Sequence, residues 1–444
     1  MPILTKDEAQ ALLKKVLSYS TADECEVNIS GSDSGNIRYA RNAVSTSGNV
    51  SETTLVVSSA YGKKLGTATI NEFDDASLEK VVRRAEELAR LAPENPEFVS
   101  FLEPQKYTES IMFVPATAAI TPKQRTDAVA QSLQVSKDNK LVAAGFLEDS
   151  RGFSAMMNSK GLFAYNTSTD VNFSVTVRTA DGTGSGYATR GYNDISKLDT
   201  KAATEIAAQK SMKSTNAKAI EPGKYTVILE PAAAAVLLER ILFDLDARQA
   251  DEGRSSFSKA GGQTRLGEKL MDERVTIYSD PLNPELPTST WNNDGRPHEK
   301  TNWIEKGVVK NFSYSRYWAL KKNVKAIPAP DSFIMEGGTK SLQDLIAGTK
   351  KGILVTRLWY IRDVDPQTLL LTGLTRDGTF YIENGKIQYP IKNFRFNESP
   401  IIMLNNLEEL GKTERTVSVE SNNSYLIPPL KIRDFTFTSL SDAI

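Results

Sequence analysis

The stretch that decides the reading of this chain is Thr226-Val-Ile-Leu-Glu230 followed by Pro231-Ala-Ala-Ala-Ala-Val-Leu-Leu-Glu239-Arg240-Ile-Leu-Phe-Asp244-Leu-Asp246-Ala-Arg248. The first piece is apolar and β-branched, the pattern of a buried strand. Pro231 suits the first turn of a helix, where its missing N–H costs nothing. The alanines and leucines that follow are strong helix formers and predict a helix over 231–248. That helix is apolar nearly all round at first, so it is stable only if buried. Its charges come late, at Glu239, Arg240, Asp244, Asp246 and Arg248. A strand feeding a buried helix that turns polar near its end is where a site is to be sought. The region 220–444 is therefore expected to be one domain built around this helix.

Composition narrows the function classes. The 444 residues suffice for two or three domains of about 100–200 residues each. A hydrophobic fraction of 40% and a charged fraction of 25% are those of an ordinary soluble protein. Lys+Arg 54 against Asp+Glu 55 gives a net charge of −1, which provides no long-range field for nucleic acid or an anionic membrane. No apolar run approaches the roughly 20 residues of a membrane span. Met-Pro-Ile-Leu runs straight into a polar helix, so no signal peptide is expected. One cysteine, Cys25, rules out an internal disulfide, and a cytoplasmic location is expected. With one histidine and one cysteine, no folding can assemble the two- or three-histidine zinc sites common in hydrolases.

Ahead of the central helix the chain reads as helices grouped with antiparallel strands, an α+β pattern. An amphipathic helix is predicted over 5–19, opened by the capping box Thr5-x-x-Glu8. Strands are predicted at Glu24 to Ile29, 36–48, 50–59 and Leu65 to Ile70. A second helix is expected from an N-cap at Asp75 to Leu91, followed by a linker marked by Pro93, Pro96 and Pro104. Residues 121–136 form a capped helix. Short strands follow at 141–148, 152–158, 162–168 and 171–179, then a helix at 200–213. The N-terminal region 1–215 thus divides into 1–105 and 106–215. Beyond the central helix the chain is β-rich, with a hairpin around Lys306-Gly307, a helix at 341–347, strands at 352–361, 368–374, 379–383 and 386–390, a short helix at 400–410 and a last strand at 430–438.

Few residues invite a catalytic reading. Glu239 and Asp244 could bind a hard cation as oxygen ligands. Alternatively, Arg240 and Arg248, four residues either side of Asp244, would flank it on one helix face as a charge ladder. His298, the only imidazole, could act as a general base oriented by Glu299 or Asp294, or be an exposed turn residue among Gly and Pro. Cys25 has no basic neighbour in sequence and reads as a small core residue. Gly182-Thr-Gly-Ser-Gly186 lies between strands and lacks a following Lys-Ser/Thr, so it reads as a mobile hairpin tip rather than a phosphate cradle. Lys321-Lys322-Asn-Val-Lys325 reads as a solvated face. The nearby Trp303, Phe312, Tyr314, Tyr317 and Trp318 are either core or the lining of a peptide groove.

The central stretch, with Gly253-Arg-Ser-Ser-Phe257, Asn293-Asp-Gly295 and Glu305-Lys-Gly-Val-Val309, resembles the C-terminal half of the TldD/PmbA family, some members of which are labelled modulators of DNA gyrase. The resemblance covers essentially the whole chain. The catalytic branch, TldD, carries a His-Glu-x-x-x-His zinc motif on this helix. Aligned on Leu237-Leu238, Glu239-Arg240-Ile-Leu-Phe-Asp244 occupies that slot, so both histidines and the glutamate base are replaced. A further TldD cysteine ligand matches the region Ser421 to Pro429, where no cysteine stands. The resemblance is therefore to the PmbA branch, also called TldE. It implies a subunit without its own zinc that pairs with a TldD-like zinc peptidase, or with itself, around a chamber for unfolded peptides. A stand-alone peptidase, metal-independent or using a carboxylate-bound metal, and a non-catalytic peptide-binding regulator are the other readings.

Overall fold

The computed structural model describes residues 3–441. Met1 and Pro2, on which the expectation of no signal peptide partly rests, lie outside the described residues. Among the described residues no helix is long and apolar enough to cross a membrane.

The α+β expectation holds. In the N-terminal region six antiparallel strands make one sheet in the order β3-β2-β1-β4-β5-β6. These are β1 (Glu24–Ala40), β2 (Ala43–Tyr61), β3 (Lys64–Ile70), β4 (Val142–Asn158), β5 (Phe163–Arg178) and β6 (Ser185–Tyr192). The helices are α1 (Lys6–Ser18), α2 (Asp75–Leu91), the short α3 (Pro115–Ala118), α4 (Pro122–Asp138) and α5 (Thr200–Lys213). One sheet therefore runs through both 1–105 and 106–215.

The strands are longer than the sequence suggests. The turn between β1 and β2 falls at Arg41-Asn42, both left-handed (φ 51° and 58°), and not at Gly48-Asn49. The four short strands expected over 141–179 are the two long strands β4 and β5. Their polar interruptions stay in the ladder because neighbours on both sides satisfy the backbone, and because buried Asp149 is paired with buried Arg125. The N-cap of α2 is Asp74 rather than Asp75; its carboxylate accepts from the Ser77 N–H at 3.0 Å.

Alternation assigns the two faces of this sheet. Odd positions such as Cys25, Val27, Ile29, Ile37 and Tyr39 on β1, and Ala143, Leu147 and Phe153 on β4, are buried with the apolar residues of α1, α2, α4 and α5. Even positions turn to the C-terminal region. Met156 and Ala164 pack there against Trp291.

In the C-terminal region β7 (Gly223–Leu229) pairs parallel with the strand Lys351–Asp365 and antiparallel with Leu430–Leu440. Leu430–Leu440 pairs with Phe394–Glu398, that with Leu370–Glu383, and that again with Lys351–Asp365. The five strands close on themselves. A second sheet includes Ile277–Ser279, Thr301–Glu305, Ile334–Met335, Ser424–Ile427 and Glu414–Val417. The strands expected at 368–374 and 379–383 are one, bent at left-handed Asp377 and at Gly378 (φ 121°). The helix expected at 400–410 is Pro400–Asn405, followed by the strand Leu407–Leu410.

Helix α6 (Pro231–Asp244) touches both of these sheets. Ala233, Ala234, Ala235, Val236, Leu237, Leu238 and Ile241 are all fully buried, as an apolar-all-round helix requires. The helix does not reach 248. Asp246 caps a separate helix, α7 (Ala247–Asp251), by accepting from the Gln249 N–H at 2.8 Å. The break is pinned by Ser313, whose N–H donates to Leu245 O (2.8 Å) and whose carbonyl accepts from Ala247 N (2.9 Å).

Because Leu237 has no solvent to collapse toward, Leu237→Ala is expected to cost about 2–5 kcal/mol, cavity term included. Urea unfolding followed by circular dichroism should show this as a lowered midpoint at unchanged slope.

Candidate functional site at the end of the central helix

Helix α6 brings Glu239 to the turn between the strands Glu414–Val417 and Ser424–Ile427. Its side chain is 2% exposed. The Oε2 atom accepts from Ser421 Oγ at 2.8 Å and from Tyr425 OH at 3.2 Å. Burial raises the Glu239 carboxyl above its ordinary value, opposed by the hydrogen bonds from Ser421 and Ser418 and by the Arg240 charge. Burial likewise pushes the Tyr425 phenol up to about 12, so it stays a hydrogen-bond donor. Its ring lies against Phe333, with centroids 4.4 Å apart.

Asp244, at the end of α6, is 8% exposed and turns to a different partner. Its Oδ2 accepts from the backbone N–H of Ser256 at 3.0 Å and from the Ser256 hydroxyl, while Ser255 Oγ donates to the Asp244 carbonyl at 2.9 Å. Burial raises this carboxyl too, opposed by the Ser256 bonds. The charge ladder expected around Asp244 does not form, because the helix ends there. Arg248, on α7, forks onto Glu97 at 2.8 and 2.9 Å and reaches Glu252 at 2.9 Å. Arg240 Nε is buried without a hydrogen-bond partner among the described residues.

The other sequence candidates lie elsewhere. His298 is not an exposed turn residue: its side chain is 8% exposed, with Nδ1 2.9 Å from Ser289 O and Nε2 3.2 Å from Ala329 O. Neither proposed orienter faces it, since Glu299 pairs with Lys325 at 2.7 Å and Asp294 with Arg296 at 2.8 Å; the nearby carboxylate is Asp331, at 3.6 Å. Set between the carbonyls of Ser289 and Ala329, His298 ties two loops together. Cys25 is buried in the N-terminal sheet. Of the glycine-rich turn only Gly182 is open. A Cβ at Gly184 or Gly186 would strike the α5 carbonyls of Ser211 and Ala207, so this segment is packed rather than a mobile tip. Lys321 and Lys322 end a helix, Arg316–Lys322, and their ammonium groups lie over Trp318 at 4.3 and 5.6 Å. Trp303, Phe312 and Trp318 are core, at 1%, 1% and 4% exposure, and do not line a groove.

The structure adds neighbours that the sequence did not single out. A cleft of about 560 Å³ runs between the even-numbered face of the N-terminal sheet and the Ser418 turn, lined by Arg38, Asn172, Tyr187, Arg357 and Asn422 among others. Arg357 stacks on Tyr187 at 4.1 Å and pairs at 2.7 Å with buried Asp377, which also accepts from Ser185 Oγ at 2.6 Å. Glu420, next to Ser421, accepts from the N–H groups of Tyr360 (3.1 Å) and Ile361 (3.4 Å) and so holds Tyr360 in a left-handed conformation (φ 59°). No local pattern announces these residues. Glu239 and Tyr425 are 186 positions apart.

The chain thus joins a closed five-strand unit and a buried helix ending in carboxylates to a two-layer α/β region across a cleft, and its sequence matches that of the PmbA/TldD metallopeptidases. Sequence profiles of that family's three domains match residues 25–89 (domain 1), 117–215 (central domain) and 222–439 (C-terminal domain). The chain belongs to the PmbA/TldD metallopeptidase family. It is 25% identical over 373 residues to the uncharacterized protein MJ0231 of Methanocaldococcus jannaschii, covering 79% of this chain and 83% of that one. It is 22% identical over 290 residues to a protein of Methanothermobacter thermautotrophicus named a metalloprotease, covering 60% and 62%. The fold is that of TldE from Thermococcus kodakarensis (TM-score 0.87, 21% identity, 97% of this chain and 99% of that one). It is also that of a candidate gyrase modulator from Thermotoga maritima (TM-score 0.86, 16% identity, 97% and 100%).

The side chains in the motif slot do not fit the zinc that the sequence resemblance implies for that slot. Glu239 is engaged by two hydroxyls and Asp244 by Ser256, on separate partners. Arg240 puts a cation in the slot of the motif's base. Among the described residues no three His, Cys, Asp or Glu side chains group as a metal site.

The raised Glu239 pKa fixes a sign. A carboxyl raised in the folded state gives stability that is present in acid and lost as pH rises through the folded pKa. Glu239→Gln keeps an acceptor for Ser421 and Tyr425 without the buried charge. Relative to wild type it should gain stability as pH climbs from the ordinary glutamate value of about 4.3 through that raised pKa, and match wild type below it. Glu239→Ala, which strands two donors, should cost about 1–3 kcal/mol. Melting temperatures of the three proteins across pH check both signs.

Proposed function

We propose that this chain is a PmbA/TldE-like subunit of a cytoplasmic metallopeptidase system that cleaves unfolded peptides. A TldD-like partner supplies the zinc, and this chain supplies half of the enclosure and part of the surface that holds substrate. One observation carries the reading: the slot for the zinc-binding helix is filled by Glu239, Arg240 and Asp244, and the Glu239 carboxylate is held by Ser421 and Tyr425. The region where the resemblance expects the last zinc ligand does meet the helix in space, through Ser421. Hydroxyl-to-carboxylate hydrogen bonds between these two segments support the reading that they stand in place of metal ligands.

The cleft beside this turn suits a peptide backbone. Asn422 offers an exposed amide and Arg357 a guanidinium fixed by Asp377 and Tyr187, while Asn172 and Thr189 on the same wall are committed to Asp170 and the Phe173 carbonyl. Such groups recognise main chain and leave side-chain identity open.

Mixed with a TldD-like chain, this protein should co-elute as a complex in gel filtration and support chelator-sensitive cleavage of an unfolded peptide. Glu239→Ala should leave the zinc content of that complex unchanged. Chelator-sensitive cleavage by the isolated chain would contradict the reading, as would a failure to bind any TldD-like chain.

A further inference from the structure

A separate cavity of about 1000 Å³ shares no lining residue with the cleft at Ser418. It lies between the linker that follows α2 and the segment 296–328. Its apolar wall includes Leu102, Leu320, Val324 and Ile327, and its cations are Arg296, Lys300, Arg316 and Lys325. The one carboxylate lining it, Glu299, is taken by Lys325 at 2.7 Å. Arg296 is committed as well, through Nε to Asp294 (2.8 Å) and Nη1 to Tyr314 O (2.6 Å).

Arg316 is different. It is half-buried at the start of its helix, and one Nη2 donates to the Ser100 carbonyl. Among the described residues it forms no ion pair, and no other acceptor meets its guanidinium. Its side chain lines the cavity. A half-buried guanidinium normally finds a planar anion to fork onto. Burial lowers the Arg316 pKa from the ordinary arginine value, opposed by the charges of Asp294, Glu26 and Glu24, none of which it pairs with, and reinforced by Arg296. Gln105 and Asn311 stand on the same lining, their amide nitrogens already donating to the carbonyls of Glu103 (2.9 Å) and Asn302 (2.7 Å), so Arg316 is left as the group that can take an anion there.

We infer that this cavity binds an apolar carboxylate, with the carboxylate forked on Arg316 and the aliphatic part on the Leu102–Leu320 wall. A peptide C-terminus and a free aliphatic acid share this chemistry. The inference does not depend on the metallopeptidase reading, because it uses none of the residues of that site.

The test is calorimetric titration of the full chain with acetyl-Leu-Leu, with the same dipeptide as its C-terminal amide, and with octanoate. The acid dipeptide should bind at least about ten-fold more tightly than the amide, the range of one charge-assisted hydrogen-bond pair. Octanoate binding alongside it would mark a general apolar-acid site, and its absence a peptide C-terminus site. Arg316→Gln should abolish the acid preference. Leu320→Glu, at a helix position 68% exposed, should leave the fold intact and weaken binding by adding like charge to the wall. It carries the test if Arg316→Gln does not fold. Equal binding of acid and amide, no binding of either at millimolar concentration, or undiminished binding in Leu320→Glu would overturn the inference.

Discussion

The structure turns on the confinement of Glu239. From Ala233 to Glu239 helix α6 is buried without a break, and its one mid-helix carboxylate is only 2% exposed. An ionised carboxylate cannot stay there without donors, since the cost of an isolated buried charge far exceeds the stability of a domain. The donors come from a turn more than 180 residues later, where Ser421 and Tyr425 both reach Oε2. The helix can sit between the two sheets only if that turn closes over it, and the turn is itself braced by Glu420 on the Tyr360 bulge. Core packing and site geometry are therefore one constraint.

The same logic explains the chemistry. A carboxylate oxygen already accepting two hydroxyl hydrogen bonds has little lone-pair capacity for a metal, and Asp244 is occupied in a separate direction by Ser256. Arg240, between them in sequence, adds a positive charge that favours carboxylates and opposes a dication. In this chain the end of helix α6 is stabilised by hydrogen bonds that reach the turn at Ser421.

Much of this was legible in the sequence. The burial of α6 followed from its composition, and the capping boxes at Thr5 and Thr121 are formed as the sequence predicts. What failed did so for identifiable reasons. The broken strands in 141–179 reflect Asp149-Ser150-Arg151 and Thr169-Asp170, polar runs that pattern reading takes for turns but that pairing on both sides keeps extended. The overlong central helix reflects good propensity across 245–248, overridden by the Asp246 cap and the Ser313 backbone bonds. The charge ladder fell with it, because i,i+4 geometry needs a continuous helix. Tyr425, Ser418 and Arg357 had no local signal at all. Only the resemblance pointed to the region beginning at Ser421, and only the fold brought it to Glu239.

The most direct measurement is the zinc content of the isolated chain, purified without chelator, incubated with excess zinc, desalted and analysed by inductively coupled plasma mass spectrometry. With the slot filled as described, zinc should remain well below one equivalent and be unaffected by Glu239→Ala or Asp244→Ala. One tightly held equivalent, lost on either substitution, would contradict the account.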